Sequence, residues 1–103
     1  MPYITKNHRE KLIPHIDALA QAMKEITQEF PEQTRDGLLN FSTTEIINQL
    51  FPNARYTDMN EIIGFLECCK LEYYRKVAAP YEDKKEAENG PVRTFNTGGP
   101  KSY

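Results

Sequence analysis

The chain has 103 residues and a mass of 11.9 kDa, the size of a single domain. Hydrophobic residues make up 39% and charged residues 27%, ordinary for a globular chain, and no apolar run approaches the ~20 residues that span a bilayer. A net charge of −2 argues against phosphate neutralisation on nucleic acid as its main work.

Thr5 is placed to cap a short first helix through Lys6–Ile13, and Pro14 suits the first position of a second helix, where a missing N–H costs nothing. From there Ile16, Leu19, Ala20, Met23, Ile26 and Phe30 recur at spacings of three and four. His15, Asp17, Gln21, Lys24, Gln28 and Glu29 fill the other side, so an amphipathic helix is predicted, ended by Pro31. The next segment holds Leu38, Leu39, Phe41, Ile46, Ile47, Leu50 and Phe51 and stops at Pro52. Ser42 and Glu45 have capping-box spacing, with Phe41 and Ile46 as the hydrophobic staple, which predicts a helix over 42–51. Asp36 and Gly37 offer an earlier start, and the residues do not choose between the two.

The longest predicted helix covers residues 58–79, capped by Thr57 or Asp58 and interrupted only at Pro80. Met59, Ile62, Ile63, Leu66, Cys69, Tyr73 and Val77 form one stripe on a helical wheel. On the opposite side, Gly64 and Cys68 are small residues four apart with Phe65 beside them, a combination that admits a second helix at close range. Gly64, Phe65 and Cys68 are therefore candidates for an oligomer interface, and a homo-oligomer is expected. Pro80 should kink or break the helix near residues 77–79. A charged helix over 81–89 follows, with Gly90 as its stop, and residues 91–103 read as a flexible tail. The fold class is all-α: one helical domain over residues 1–90, a small bundle of three to four main helices. Area scaling expects such a chain to bury about two-thirds of its unfolded surface in one core.

Charge is uneven along this framework. Residues 12–69 carry a net −6 and residues 70–85 a net +2, the latter interleaved with Tyr73, Tyr74 and Tyr81. Tyr74, Arg75, Tyr81, Lys84 and Lys85 are candidates for a surface that grips a phosphate and stacks a ring. Ion pairs along a helix face, such as Glu72–Lys76, account for the same residues without a ligand. His8 and His15 stand seven apart, too far for one metal ion, and Cys68–Cys69 is not a C-x-x-C, so no metal site and no cofactor is expected. Adjacent cysteines do not bridge; both are read as small buried hydrophobes in a reducing cytoplasm. No nucleophile elbow, P-loop or dinucleotide fingerprint occurs, and Ser42 reads as a cap. No catalytic residue is assigned. All-α nucleotide pyrophosphohydrolases hold Mg²⁺ on carboxylates of two neighbouring helices, in Glu-Glu-x-x-Glu and Glu-x-x-Asp patterns, and neither pattern occurs here. Glu61 and Glu67 also point about 120° apart on the wheel.

The stretch NEIIGFLECCKLEYYRKVAAPYEDKKEAENG from Asn60 to Gly90, with MPYI at the start and REKL at Arg9–Leu12, resembles a family of small uncharacterised proteins of tailed phages, prophages and bacteria. The resemblance extends to about Val92 and implies an all-helical cytoplasmic protein, with no mechanism attached. Pro91 departs from it, standing where an acidic residue usually follows Glu-Asn-Gly. The reading that results is a non-enzymatic helical binding protein, homo-oligomeric, acting on a host protein or a small phosphorylated ligand, without a membrane. A Mg²⁺-dependent nucleotide pyrophosphohydrolase using Glu61, Glu67 and Glu72, and a structural subunit of a larger particle, are the alternatives.

Overall fold

A computed structural model describes residues 2–93; most of the tail expected over 91–103 lies outside the described residues. Four α-helices and one π-helical turn follow in order: α1 (Lys6–Glu29), α2 (Arg35–Leu50), α3 (Tyr56–Tyr73), the π turn (Tyr74–Ala78) and α4 (Ala79–Asn89). No strand occurs among the described residues, and the all-α class is as expected. The chain divides into two compact units, one reaching to Gly64 and the other starting at Phe65, with the boundary inside α3.

In the first unit α1 runs unbroken through Pro14, so the expected pair of helices is one helix of 24 residues. Pro14 removes one donor, the partner of the Glu10 carbonyl. With helix-forming sequence on both sides, that single loss does not end the helix. Thr5 takes the N-cap position with extended φ and ψ, but its hydroxyl lies 3.0 Å from Nδ1 of His8 and makes no cap bond. The Arg9 guanidinium folds back to donate to the Ile4 carbonyl at 2.7 Å. Phe30 is the C-cap, directly before the Pro31 expected to end this helix.

The start of α2 settles the choice that the residues left open. Thr34 is the N-cap, and its hydroxyl accepts a long bond of 3.4 Å from the Gly37 N–H. A side chain at Gly37 would bring its Cβ within 3.2 Å of that oxygen, so glycine keeps the cap unstrained. Ser42 and Glu45 therefore lie inside α2, and the helix expected to begin at Ser42 begins seven residues earlier, at Arg35. The loop to α3 turns at Asn53, whose φ of 56° lies in the left-handed region that asparagine tolerates. Asp58 does not cap α3 from outside. It sits in the first turn and accepts the Arg55 N–H at 2.9 Å, the backward half of a capping box.

In the second unit α3 gives way to the π turn, in which the Ala79 N–H bonds the Tyr74 carbonyl five residues back. Pro80 stands in the first turn of α4, where its absent N–H is tolerated. The irregularity expected near 77–79 thus takes the form of a widened turn over Tyr74–Ala78. α4 continues directly from the π turn and ends at Gly90, whose φ of 88° suits glycine.

Neither unit builds a core among the described residues. No side chain among the described residues is buried, and Met23, Leu38, Ile47, Phe51 and Ile62 are at best half-buried. Ile16 remains 58%, Ile63 67% and Phe41 67% exposed. Taken by itself, each unit leaves most of its apolar surface open, because the helix stripes do not cover one another within it. Cys68 and Cys69, expected to be small buried hydrophobes, are both free and exposed for the same reason.

Candidate functional site

All five side chains expected to grip a phosphate lie on the π turn and α4, and four of them, Tyr74, Arg75, Tyr81 and Lys85, meet a side chain of their own unit. The π turn has a wider helical circuit than an α-turn, which brings Tyr74 within reach of a residue eight positions on. Its hydroxyl donates to Oε2 of Glu82 at 3.3 Å. The Glu82 charge, and then this bond, hold the Tyr74 phenol above its ordinary pKa. Arg75 donates through Nη2 to both oxygens of Glu72, at 3.0 and 2.9 Å. Lys85 lies 3.2 Å from Glu88 and 5.7 Å from the centre of the Tyr81 ring. Lys84 is exposed.

The electrostatics follow from these pairs. Glu72 is only 22% exposed at its side chain, so the guanidinium of Arg75 is held by a carboxylate that already neutralises it. An incoming phosphate would have to displace a two-pronged partner to use the fork of Arg75. Residue types were legible in the sequence, but the partners were not. Glu72 was expected to pair with Lys76 and instead pairs with Arg75, while the Tyr74–Glu82 contact falls outside any i, i+3 or i, i+4 template. Beside α4 lies an open depression whose lining includes Glu82, Asp83 and Glu86, acidic in character.

Two of the three carboxylates of the hydrolase alternative are also engaged. Glu67 pairs with Lys70 at 3.0 Å and Glu72 with Arg75 at 2.9 Å. Among the described residues, no three His, Cys, Asp or Glu side chains come together in a metal-binding group. His8 and His15 are exposed on one continuous helix, about 10 Å apart along its axis.

The first unit offers a shallow depression at the α1–α2 corner, lined by Thr27, Gln33, Thr34, Arg35, Asp36 and Leu39. The Thr34 hydroxyl, with the Gly37 and Asp36 N–H groups, holds the Asp36 carboxyl below its ordinary pKa. These contacts are those of a helix cap, and they leave no convergent set of groups for chemistry.

The expected interface residues are open. A Cβ added at Gly64 would find open space, Phe65 is 39% exposed, and Cys68 is exposed. Apolar exposure, rather than a pocket, is thus the dominant surface feature of both units. No described helix is long and apolar enough to cross a membrane.

Residues 1–92 match the model of a family described as a domain of unknown function, DUF6899, and the chain belongs to that family. No curated protein and no solved structure matches the chain.

Proposed function

We infer that this member of the DUF6899 family is a non-enzymatic helical interaction protein that completes its core with other chains. The observation that carries this reading is the absence of any buried side chain among the described residues, on helices whose sequences have the apolar period of packed ones. Helices of 11 to 24 residues hold together in water chiefly by packing an apolar face. Such faces, uncovered in one chain, belong to an assembly in which another chain covers them.

Self-association comes first, since a second copy is always present and the two-sided α3 was already a candidate for it. Gly64, Phe65 and Cys68 supply a second face on that helix. The phage and prophage setting of the family resemblance adds a host protein as a further partner, in a reducing cytoplasm that suits two free, exposed thiols. A small phosphorylated ligand at Tyr74, Arg75, Tyr81, Lys84 and Lys85 is less well supported, because Arg75 and Lys85 are already paired.

Native mass spectrometry of the full chain tests this reading. A discrete homo-oligomer is expected. A monomer that remains cooperatively folded at low micromolar concentration would overturn it. Replacing Gly64 by Leu adds a test on α3, where a Cβ has open space. A smaller assembled mass is therefore expected, with helix lost from any fraction that falls to monomer, and an unchanged mass would remove Gly64, Phe65 and Cys68 from the interface.

A further inference from the structure

Six apolar side chains of α1 and its C-cap keep a stricter period than an amphipathic helix needs. Leu12, Ile16, Leu19, Met23, Ile26 and Phe30 are separated by four, three, four, three and four residues. That is the a/d pattern of a coiled-coil seam, with Ile16, Met23 and Phe30 at a and Leu12, Leu19 and Ile26 at d. The helix is continuous from Leu12 to Ile26, because Pro14 does not interrupt it, and Phe30 closes the seam as the C-cap, its N–H on the Ile26 carbonyl. In this register Pro14, Gln21 and Gln28 occupy the outward f positions, so the carbonyl that Pro14 leaves unpaired is on the side away from the seam. Gln21 donates to Glu25 at 3.2 Å on that outer face. The positions beside the centre of the seam are Ala20 and Ala22, small enough for close approach.

Charge selects the orientation. The N-terminal part of α1 carries Lys6, Arg9 and Lys11 against Glu10, whereas its C-terminal end carries Glu25, Glu29 and then Glu32 against Lys24. Two copies side by side in parallel would set basic end on basic end and acidic on acidic. Reversing one copy sets basic on acidic and opposes the two helix dipoles favourably. The seam is compatible with that reversal: Leu12 meets Phe30 of the other copy, Ile16 meets Ile26, and Leu19 meets Met23. On the flank, His15 comes opposite Glu29, and Ala22 opposite Ala22.

We propose that α1 pairs antiparallel with α1 of a second copy through the Leu12–Phe30 seam. This rests on the association reading above and names its surface. The seam residues are 50% (Leu12), 58% (Ile16), 40% (Leu19), 37% (Ile26) and 44% (Phe30) exposed. With Ile13, Met23 and Ala20 these amount to on the order of 600 Å² per helix, or about 1,200 Å² for the pair, the lower edge of specific interfaces.

The test is pulsed dipolar spectroscopy on the full chain carrying a nitroxide at Glu10→Cys or at Gln21→Cys, with Cys68 and Cys69 replaced by Ser. Both labels sit on the outer face, and native mass spectrometry follows each variant. The antiparallel seam puts the Glu10 labels roughly 40 Å apart and the Gln21 labels roughly 20–25 Å apart. Two short distances mean a parallel pair and overturn the antiparallel seam. Leu19→Glu is expected to weaken association at least tenfold. An assembly of unchanged mass in Leu19→Glu, or one with no defined distance on α1, means that another helix such as α3 makes the contact. Either result overturns the α1 seam while the association reading stands. A folded monomer of the native chain at every concentration overturns both.

Discussion

If the chain acquires its core from a second copy, dilution must unfold it. Dissociation and loss of helix become one event, because helices of these lengths without a covered face are marginal in water. The magnitude follows from size. Residues 2–93 in each of two copies make about 180 ordered residues, and unfolding entropy near 60 °C is about 2.1 cal/mol/K per residue, giving about 0.4 kcal/mol/K for the dimer. A hundredfold dilution costs the assembled state about 3 kcal/mol by mass action. The melting midpoint should then fall by about 7 °C between 100 µM and 1 µM. Circular dichroism at 222 nm, in cells of different path length, reads this directly. A cooperative transition whose midpoint is the same at both concentrations would refute the reasoning, since a core made within one chain is indifferent to concentration.

Three further outcomes concern single side chains. Thr34→Ala should cost about 0.5 kcal/mol, the low end for an N-cap because the bond to Gly37 is long, read as a shift in the urea midpoint. The same variant should raise the Asp36 pKa toward its ordinary value, by carboxyl NMR, since the Thr34 hydroxyl is the largest cause of its depression. The stabilisation linked to Asp36 is present above the ordinary carboxylate range and is lost as pH falls through the depressed value, so Thr34→Ala should flatten the acid limb of stability. Glu82→Gln should let Tyr74 ionise at lower pH, by ultraviolet titration. Tyr74 has the opposite sign to Asp36: its contribution is present below the ordinary tyrosine pKa and is lost as pH rises through the raised one. Arg75→Ala should leave inorganic phosphate binding unchanged in calorimetry, and a measurable affinity abolished by the substitution would restore a ligand role for this surface.

The all-α class was legible because apolar residues at spacings of three and four, with Pro31, Pro52 and Gly90 as stops, need only local chemistry to be read. Helix starts were harder. Ser42–Glu45 and Thr34–Gly37 both carry cap-like residues, and a short-range pattern cannot say which of two caps the chain uses. Pro14 was read as punctuation, though at an outward position of a strongly amphipathic helix the loss of one donor is affordable. The π turn has no compositional signature; only Pro80, just beyond it, hinted at an irregularity. The missing core was illegible for a deeper reason. A stripe of apolar side chains records that something covers it, and the pattern is the same whether the cover is in the same chain or another. The candidate ligand residues were identifiable by type, yet whether Arg75 faces a phosphate or Glu72 depends on side-chain geometry within a single turn.

The π turn between α3 and α4 also bears on how the gene can vary. A five-residue turn closed by an i to i−5 bond is, in effect, an α-helix holding one surplus residue. Deleting a single residue inside a regular helix rotates everything downstream by about 100° and ruins its facing. Between Tyr74 and Ala78 the same loss would instead absorb the surplus, and α4 would keep its direction on an uninterrupted α-helix. Relatives one codon shorter at this point would therefore present Tyr81, Lys84 and Lys85 on the same side as this chain does, and length variation in the family can accumulate here without remodelling the surface beyond it.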